Sequence, residues 1–302
     1  MRVLVTGVAG QLGYDVMREL YVRGHEGIGT DLAAPTNPAS VCEDGEAFLP
    51  LDITDGAAVR ETVMRERPDA VIHCAAWTAV DAAEEVENYD TVYAVNVTGT
   101  ENLALACRDG GCKMLYISTD YVFDGQGDTP WTPDCRDYAP LNVYGRTKRM
   151  GEQAVEDTLA EHFIVRIAWV FGANGKNFVR TMLNLSEKYD TLRVVSDQIG
   201  TPTYTKDLAR LLVDMVETER YGCYHATNEG GYISWYDFAV EIFRQAGKQV
   251  TVLPVTTAEY GLSRAARPYN SRLDKSKLIA CGFAPLPPWR DALARYLQEI
   301  EV

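Results

Sequence analysis

VLVTGVAGQLG, residues 3–13, passes from an apolar, β-branched run into three glycines, Gly7, Gly10 and Gly13. The run reads as a buried strand, and Leu12, Val16 and Leu20 then mark one face of a helix. Glycines between a strand and a helix have separate uses. The first permits a tight turn, the second lets backbone approach a pyrophosphate, and the third lets helix and strand pack closely. Gln11 and Leu12 open the helix, whose unpaired N–H groups and dipole favour an anion. The stretch therefore predicts a dinucleotide-binding turn, provided that strands and helices continue to alternate beyond it.

They do. GIGTD (27–31) and AFLPLD (47–52) read as strands, followed by a helix from Asp55 to Arg67 that Pro68 helps to end. AVIHCAA (70–76) is a fourth strand, a long helix spans 89–109, and KMLYIST (113–119) is a fifth strand. A Gly/Pro-rich loop leads to a helix carrying Tyr144 and Lys148, and FIVRIAWVFG (163–172) is a sixth strand. This rhythm predicts an α/β fold, a Rossmann-type doubly wound parallel sheet with ligands at the carboxyl ends of its strands. Beyond Phe171 the elements shorten. Residues 1–170 are expected to form the dinucleotide-binding domain. Residues 171–302 are expected to form mainly a smaller substrate-binding lobe, with some segments returning to the first domain.

Composition narrows the partners. The chain has 302 residues, 46% of them hydrophobic and 24% charged, with a net charge of −14. So acidic a protein is ill suited to a nucleic-acid backbone, and no apolar stretch reaches membrane-spanning length. Seven cysteines, without CxxC pairs, read as reduced residues of a cytoplasmic protein. The four histidines lack zinc-like spacing, and neither a structural nor a catalytic metal is expected.

Strand ends supply the other cofactor candidates. Asp31 lies eighteen residues past Gly13, where a carboxylate can accept hydrogen bonds from an adenosine ribose. It would repel a 2′-phosphate, which favours NADH over NADPH without excluding the latter. Asp52 and Ile53 end the third strand and are candidates for adenine contact. Cys74, Ala75 and Ala76 end the fourth and are small enough to let a cofactor pass.

Tyr144 and Lys148, in YGRTK, are four residues apart and share a helix face. Thr119 ends the fifth strand on the same sheet edge as the glycine turn. A free tyrosine, with a pKa of about 10, is a poor proton donor at neutral pH. A lysine beside it and the charge of an oxidised nicotinamide would stabilise the phenolate. Tyr144 is thus the candidate general acid for a carbonyl reduction, Thr119 the hydroxyl that orients the carbonyl, and Lys148 the group that acidifies the phenol.

TGVAGQLG, CAAWTAVDAAE, STDYVFDG, YGRTK, RIAWVFG, DQIGTPTYT and RPYNSRLD occur here in that order. In this series, from residue 1 to the C-terminal helix, the chain resembles the dTDP-4-dehydrorhamnose reductases, extended short-chain dehydrogenase/reductases. The resemblance implies NADH- or NADPH-dependent reduction of the 4-keto group of dTDP-4-dehydro-6-deoxy-L-mannose, giving dTDP-L-rhamnose for cell-surface polysaccharide. It implies catalytic roles for Thr119, Tyr144 and Lys148, with Lys148 also on the nicotinamide ribose. It implies sugar contacts from Val80, Asp120, Tyr121 and Trp169, and places Asn177 and Arg267 toward the nucleotide sugar. An arginine suits a pyrophosphate, although Arg267 also reads as a surface residue before Pro268 and Trp169 as core packing. Some such enzymes are dimers bridged by carboxylate-held magnesium; this chain has Lys206 where a carboxylate would be expected, so monomer and homodimer both remain open.

Two other functions fit parts of the pattern. A sugar-nucleotide epimerase or 4,6-dehydratase shares the fold, but the dehydratases use an Asp-Glu pair where this chain has Asp120-Tyr121. A non-catalytic regulatory subunit, like that of methionine adenosyltransferase, would bind a dinucleotide without turnover.

Overall fold

The computed structural model describes residues 1–33 and 47–301. In its first half β1 (Arg2–Thr6), α1 (Gln11–Val22), β2 (Glu26–Asp31), β3 (Ala47–Pro50), α2 (Gly56–Glu66) and β4 (Ala70–His73) follow one another. Next come α3 (Tyr89–Tyr93), α4 (Gly99–Gly110), β5 (Lys113–Thr119), α5 (Val143–Thr158) and β6 (His162–Ile167). Later come β7 (Val170–Phe171), α6 (Phe178–Ser186), β8 (Thr191–Val195), β9 (Ile199–Gly200), β10 (Thr203–Tyr204), α7 (Thr205–Val216) and β11 (Gly222–His225). The chain closes with β12 (Ile233–Ser234), α8 (Trp235–Gln245), β13 (Thr251–Val255), α9 (Thr257–Tyr260), α10 (Ser276–Ala280) and α11 (Trp289–Glu299).

Among the described residues, seven strands form one sheet in the order β11-β6-β5-β4-β1-β2-β3. Every pairing in it is parallel. From β1 the order runs one way through β2 and β3, and the other way through β4, β5 and β6. The crevice at this reversal is where such a sheet binds ligands. Both faces are covered, as a parallel sheet requires. Val16, Met17 and Leu20 of α1 pack with Leu208, Leu212 and Met215 of α7 on one side. Val59, Val63, Leu103 and Val155 of α2, α4 and α5 pack on the other. A buried bidentate ion pair, Arg166 Nε and Nη2 to Glu152 at 2.7 and 2.9 Å, fastens α5 to β6.

The second half crosses back: α7 packs on α1, and β11 joins the sheet beside β6. The remaining elements enclose a separate core of Phe171, Phe238, Trp289 and Tyr296. The third and fourth strands end at Pro50 and His73, short of the 47–52 and 70–76 read from the sequence, and two further elements differ in kind. The sixth strand stops at Ile167, and β7 pairs with β10 outside the main sheet. Between them Trp169 takes a left-handed backbone (φ 52°), which a continuous strand cannot contain. The long helix over 89–109 widens into a π-type turn at Ala94–Thr98. There the Asn96 side chain accepts from the Trp77 amide (2.8 Å) and donates to Thr147 Oγ1 (3.0 Å).

Candidate active site

The glycine turn is built by contact. Gly7 has φ 74°, and a Cβ there would stand 2.7 Å from the Ala75 nitrogen at the end of β4. A Cβ at Gly13 would lie 2.3 Å from the Gly7 carbonyl oxygen. The turn is therefore as tight as its sequence demands. Asp31 closes its rim, accepting from the Ala9 amide at 3.0 Å and the Leu32 amide at 2.8 Å.

Beyond the turn lies a cavity of about 960 Å³, lined by the ends of β1, β2, β4, β5 and β6. Its wall includes Gly7, Gly10, Gln11, Leu12, Gly13, Asp31, Asp52, Ile53, Cys74, Ala75 and Ala76. It also includes Val80, Thr119, Asp120, Tyr121, Tyr144, Lys148, Trp169 and Arg267. Residues far apart in sequence thus meet on one surface.

Asn177 is not part of that surface. It caps α6, accepting from the Arg180 amide at 3.0 Å, and donates to Gln11 Oε1 (3.0 Å) and the Gly172 carbonyl (2.9 Å). Nearby, Asn174 donates to the Ala9 and Gly10 carbonyls at 3.0 and 3.3 Å. The two amides clasp the glycine turn from the second lobe. Sequence reading missed Asn174, Lys176, Phe178 and Trp235, all of which line the cavity. Asn174-Gly175 is a turn signal, but nothing local says that it faces the glycines. The Trp235 indole stacks on Trp169 at 3.8 Å and 15°.

The start of α5 sets Tyr144. Asn142 caps the helix through the Gly145 amide (2.8 Å), and a Cβ at Gly145 would meet the Tyr121 carbonyl oxygen at 2.3 Å. This close packing brings the Tyr121 and Tyr144 rings edge-on at 5.6 Å. Thr119 Oγ1 donates to Asp120 Oδ1 at 3.1 Å and accepts from the Tyr121 amide at 3.2 Å. Arg267 donates to Asp81 at 2.6 Å and to the Tyr121 hydroxyl at 3.5 Å.

Burial dominates the electrostatics. It raises the Tyr144 phenol above its ordinary range, a hydrogen bond with Thr119 opposing the rise. Lys148 is pushed down to about 7 by burial, opposed by Glu152. Burial is the largest influence on this phenol, which is raised where the sequence reading expected Lys148 to acidify it. The ammonium instead sits over the Tyr116 ring, 4.0 Å from its centroid. Asp120 Oδ2 is buried with no hydrogen-bond partner of good geometry among the described residues. Burial pushes that carboxyl up to about 6, with the Ser271 and Thr119 hydroxyls opposing.

Lys206 Nζ lies 3.3 Å from Glu299 Oε1, and its charge also acts on buried Asp15.

Fold and site together define a Rossmann-type oxidoreductase. The family described as RmlD substrate binding domain matches residues 1–302, and the chain belongs to it. A dTDP-4-dehydrorhamnose reductase of Streptomyces griseus is 44% identical, the match covering 97% of this chain and 91% of the relative. A dTDP-4-keto-6-deoxy-D-glucose reductase of Streptomyces niveus is 37% identical over 97% and 96% of the two chains. The crystal structure of a Bacillus anthracis dTDP-4-dehydrorhamnose reductase in complex with NADP is 39% identical. It covers 99% of both chains with a TM-score of 0.89.

Proposed function

We propose that this chain reduces the 4-keto group of dTDP-4-dehydro-6-deoxy-L-mannose to dTDP-L-rhamnose, using NADH or NADPH. The observation that carries the proposal is the meeting of Thr119, Tyr144 and Lys148 with the glycine cradle in one cavity. The tightness of the glycine turn, where a Cβ at Gly7 or Gly13 would collide with backbone, supports a dinucleotide pyrophosphate at this turn. Asp31 at its rim is placed for the adenosine ribose, and favours NADH. When bound, the nicotinamide supplies hydride to the carbonyl carbon.

The chain's own residues handle the oxygen and the proton. Tyr144, raised by burial, holds its proton at neutral pH and gives it to the substrate oxygen as negative charge builds there. Thr119 orients that oxygen by hydrogen bonding. Lys148, on the same helix face, favours the phenolate left behind and holds the nicotinamide ribose. Val80, Asp120, Tyr121 and Trp169 face the sugar, and Arg267 meets the substrate diphosphate. Asn177 acts one step back, through Gln11.

The Streptomyces niveus relative motivates a comparison of keto sugars. NADH and NADPH oxidation is followed with dTDP-4-dehydro-6-deoxy-L-mannose and with dTDP-4-keto-6-deoxy-D-glucose. Faster turnover of the L-mannose-configured sugar is expected. The reverse order would reassign the substrate, and dinucleotide binding without turnover would support a regulatory subunit.

A further inference from the structure

Lys148 is buried, 3% exposed, in a setting that disfavours charge. Around it at the end of β4 stand His73 and Cys74. His73 is pushed down to about 3 by burial and is neutral, its ring nitrogens bonded to Thr6 at 2.8 Å and Thr100 at 3.1 Å. Cys74 is pushed up to about 12 by burial and is neutral as well. Glu152, one helical turn along α5, is the nearby anion, but both of its oxygens are held by Arg166. On α5 itself the Tyr144 phenol is neutral too. What β5 presents is Tyr116, fully buried, with its ring face 4.0 Å from the Lys148 ammonium.

Tyr116 also touches the other end of the same residue. Its hydroxyl donates to the Lys148 backbone carbonyl at 3.3 Å. The next turn of the helix makes room for that hydroxyl. A Cβ at Gly151 would lie 2.3 Å from the Tyr116 oxygen. The phenol is raised well above its ordinary range by burial, so it stays uncharged and acts through its ring quadrupole and its O–H.

We propose that Tyr116 is a positioning residue that grips Lys148 at both ends, keeping its ammonium charged and fixed at the cavity wall. The proposal rests on the reading of Lys148 as a member of the reducing site. It adds an aromatic face to the more distant pull of the Glu152 carboxylate as a group that favours the charge. A ring can favour the ammonium without drawing it into an ion pair, which leaves its N–H groups free for a ribose and a phenolate.

The test titrates Lys148 directly by NMR, in protein carrying 13C-labelled lysine, with the signal assigned by its loss in Lys148→Arg. Tyr116→Leu would remove a core ring and could unfold the chain, so the comparison keeps the ring shape. Tyr116→Phe retains the electron-rich face, whereas ring-fluorinated phenylalanine at position 116 retains the volume and loses the face. The midpoint of Lys148 is expected to fall by about one pH unit from the first to the second, a tenfold change. Equal midpoints would overturn the proposal. Because the readout needs neither cofactor nor substrate, it stands apart from the proposed reaction. A Lys148→Met variant with normal turnover would remove Lys148 from the reducing site and leave the titration result intact.

Discussion

The Ala9 amide donates to the Asp31 carboxylate at 3.0 Å, tying the glycine turn to the end of β2. Asp31 therefore both shapes the turn and sets its charge. Replacing it by Ser keeps a hydrogen-bond acceptor and removes the repulsion of a 2′-phosphate. The NADPH/NADH ratio of kcat/KM is expected to rise about tenfold in Asp31→Ser, the worth of one solvent-screened charge pair. An unchanged ratio would reduce Asp31 to a turn residue.

Gly13→Ala tests the cradle itself. The added methyl would stand 2.3 Å from the Gly7 carbonyl oxygen, which is backbone and cannot swing aside. Overpacking of this kind costs about 1–3 kcal/mol. Urea unfolding should register that loss, and dinucleotide titration should show binding weakened at least tenfold. Normal binding would mean that the turn relaxes and is not the cofactor cradle.

Asp120 makes stability depend on pH with an unusual sign. Its carboxyl is raised from 3.8 to about 6, so between those values the folded protein holds a proton that the unfolded chain has released. This group's contribution is fully present below about pH 4 and is lost as pH rises through 6. Relative to wild type, Asp120→Asn should gain about 2–3 kcal/mol between pH 4 and pH 8, since it has no charge to bury. Thermal melts of both proteins across that range check it, and a constant difference would contradict it.

The glycine turn, the strand-end residues and the Tyr144/Lys148 pair were legible in the sequence because each is a local pattern tied to one sheet edge. The break at Trp169 was not. FIVRIAWVFG has the composition of one strand, and a left-handed tryptophan carries no local signature as a glycine would. Asn177 was placed toward the substrate, whereas it grips Gln11 from behind the wall. Ser234 and Asp237 form a capping box whose spacing was readable. That the next residue, Trp235, stacks on Trp169 depends on how the two halves pack, which no window of sequence contains. The opposed effects of burial on Tyr144 and Lys148 likewise arise only from the assembled cavity.

Glu152 and Arg166 are both fully buried, so neither tolerates losing the other. Glu152→Gln would leave the guanidinium with the Tyr138 hydroxyl at 2.9 Å and the Pro133 carbonyl at 3.4 Å. Breaking a buried pair from one side costs about 3–5 kcal/mol. Chemical denaturation is expected to show a loss of that size, and a loss under about 1 kcal/mol would mean that the remaining partners suffice.

The central claim is that Tyr144 gives the proton, and Tyr144→Phe tests it most directly. Nicotinamide oxidation is measured with dTDP-4-dehydro-6-deoxy-L-mannose, alongside dinucleotide binding and thermal stability. The variant is expected to fold and bind dinucleotide as wild type does, with kcat lowered about 10²- to 10⁴-fold. A folded variant that turns over at near wild-type rate would contradict the account.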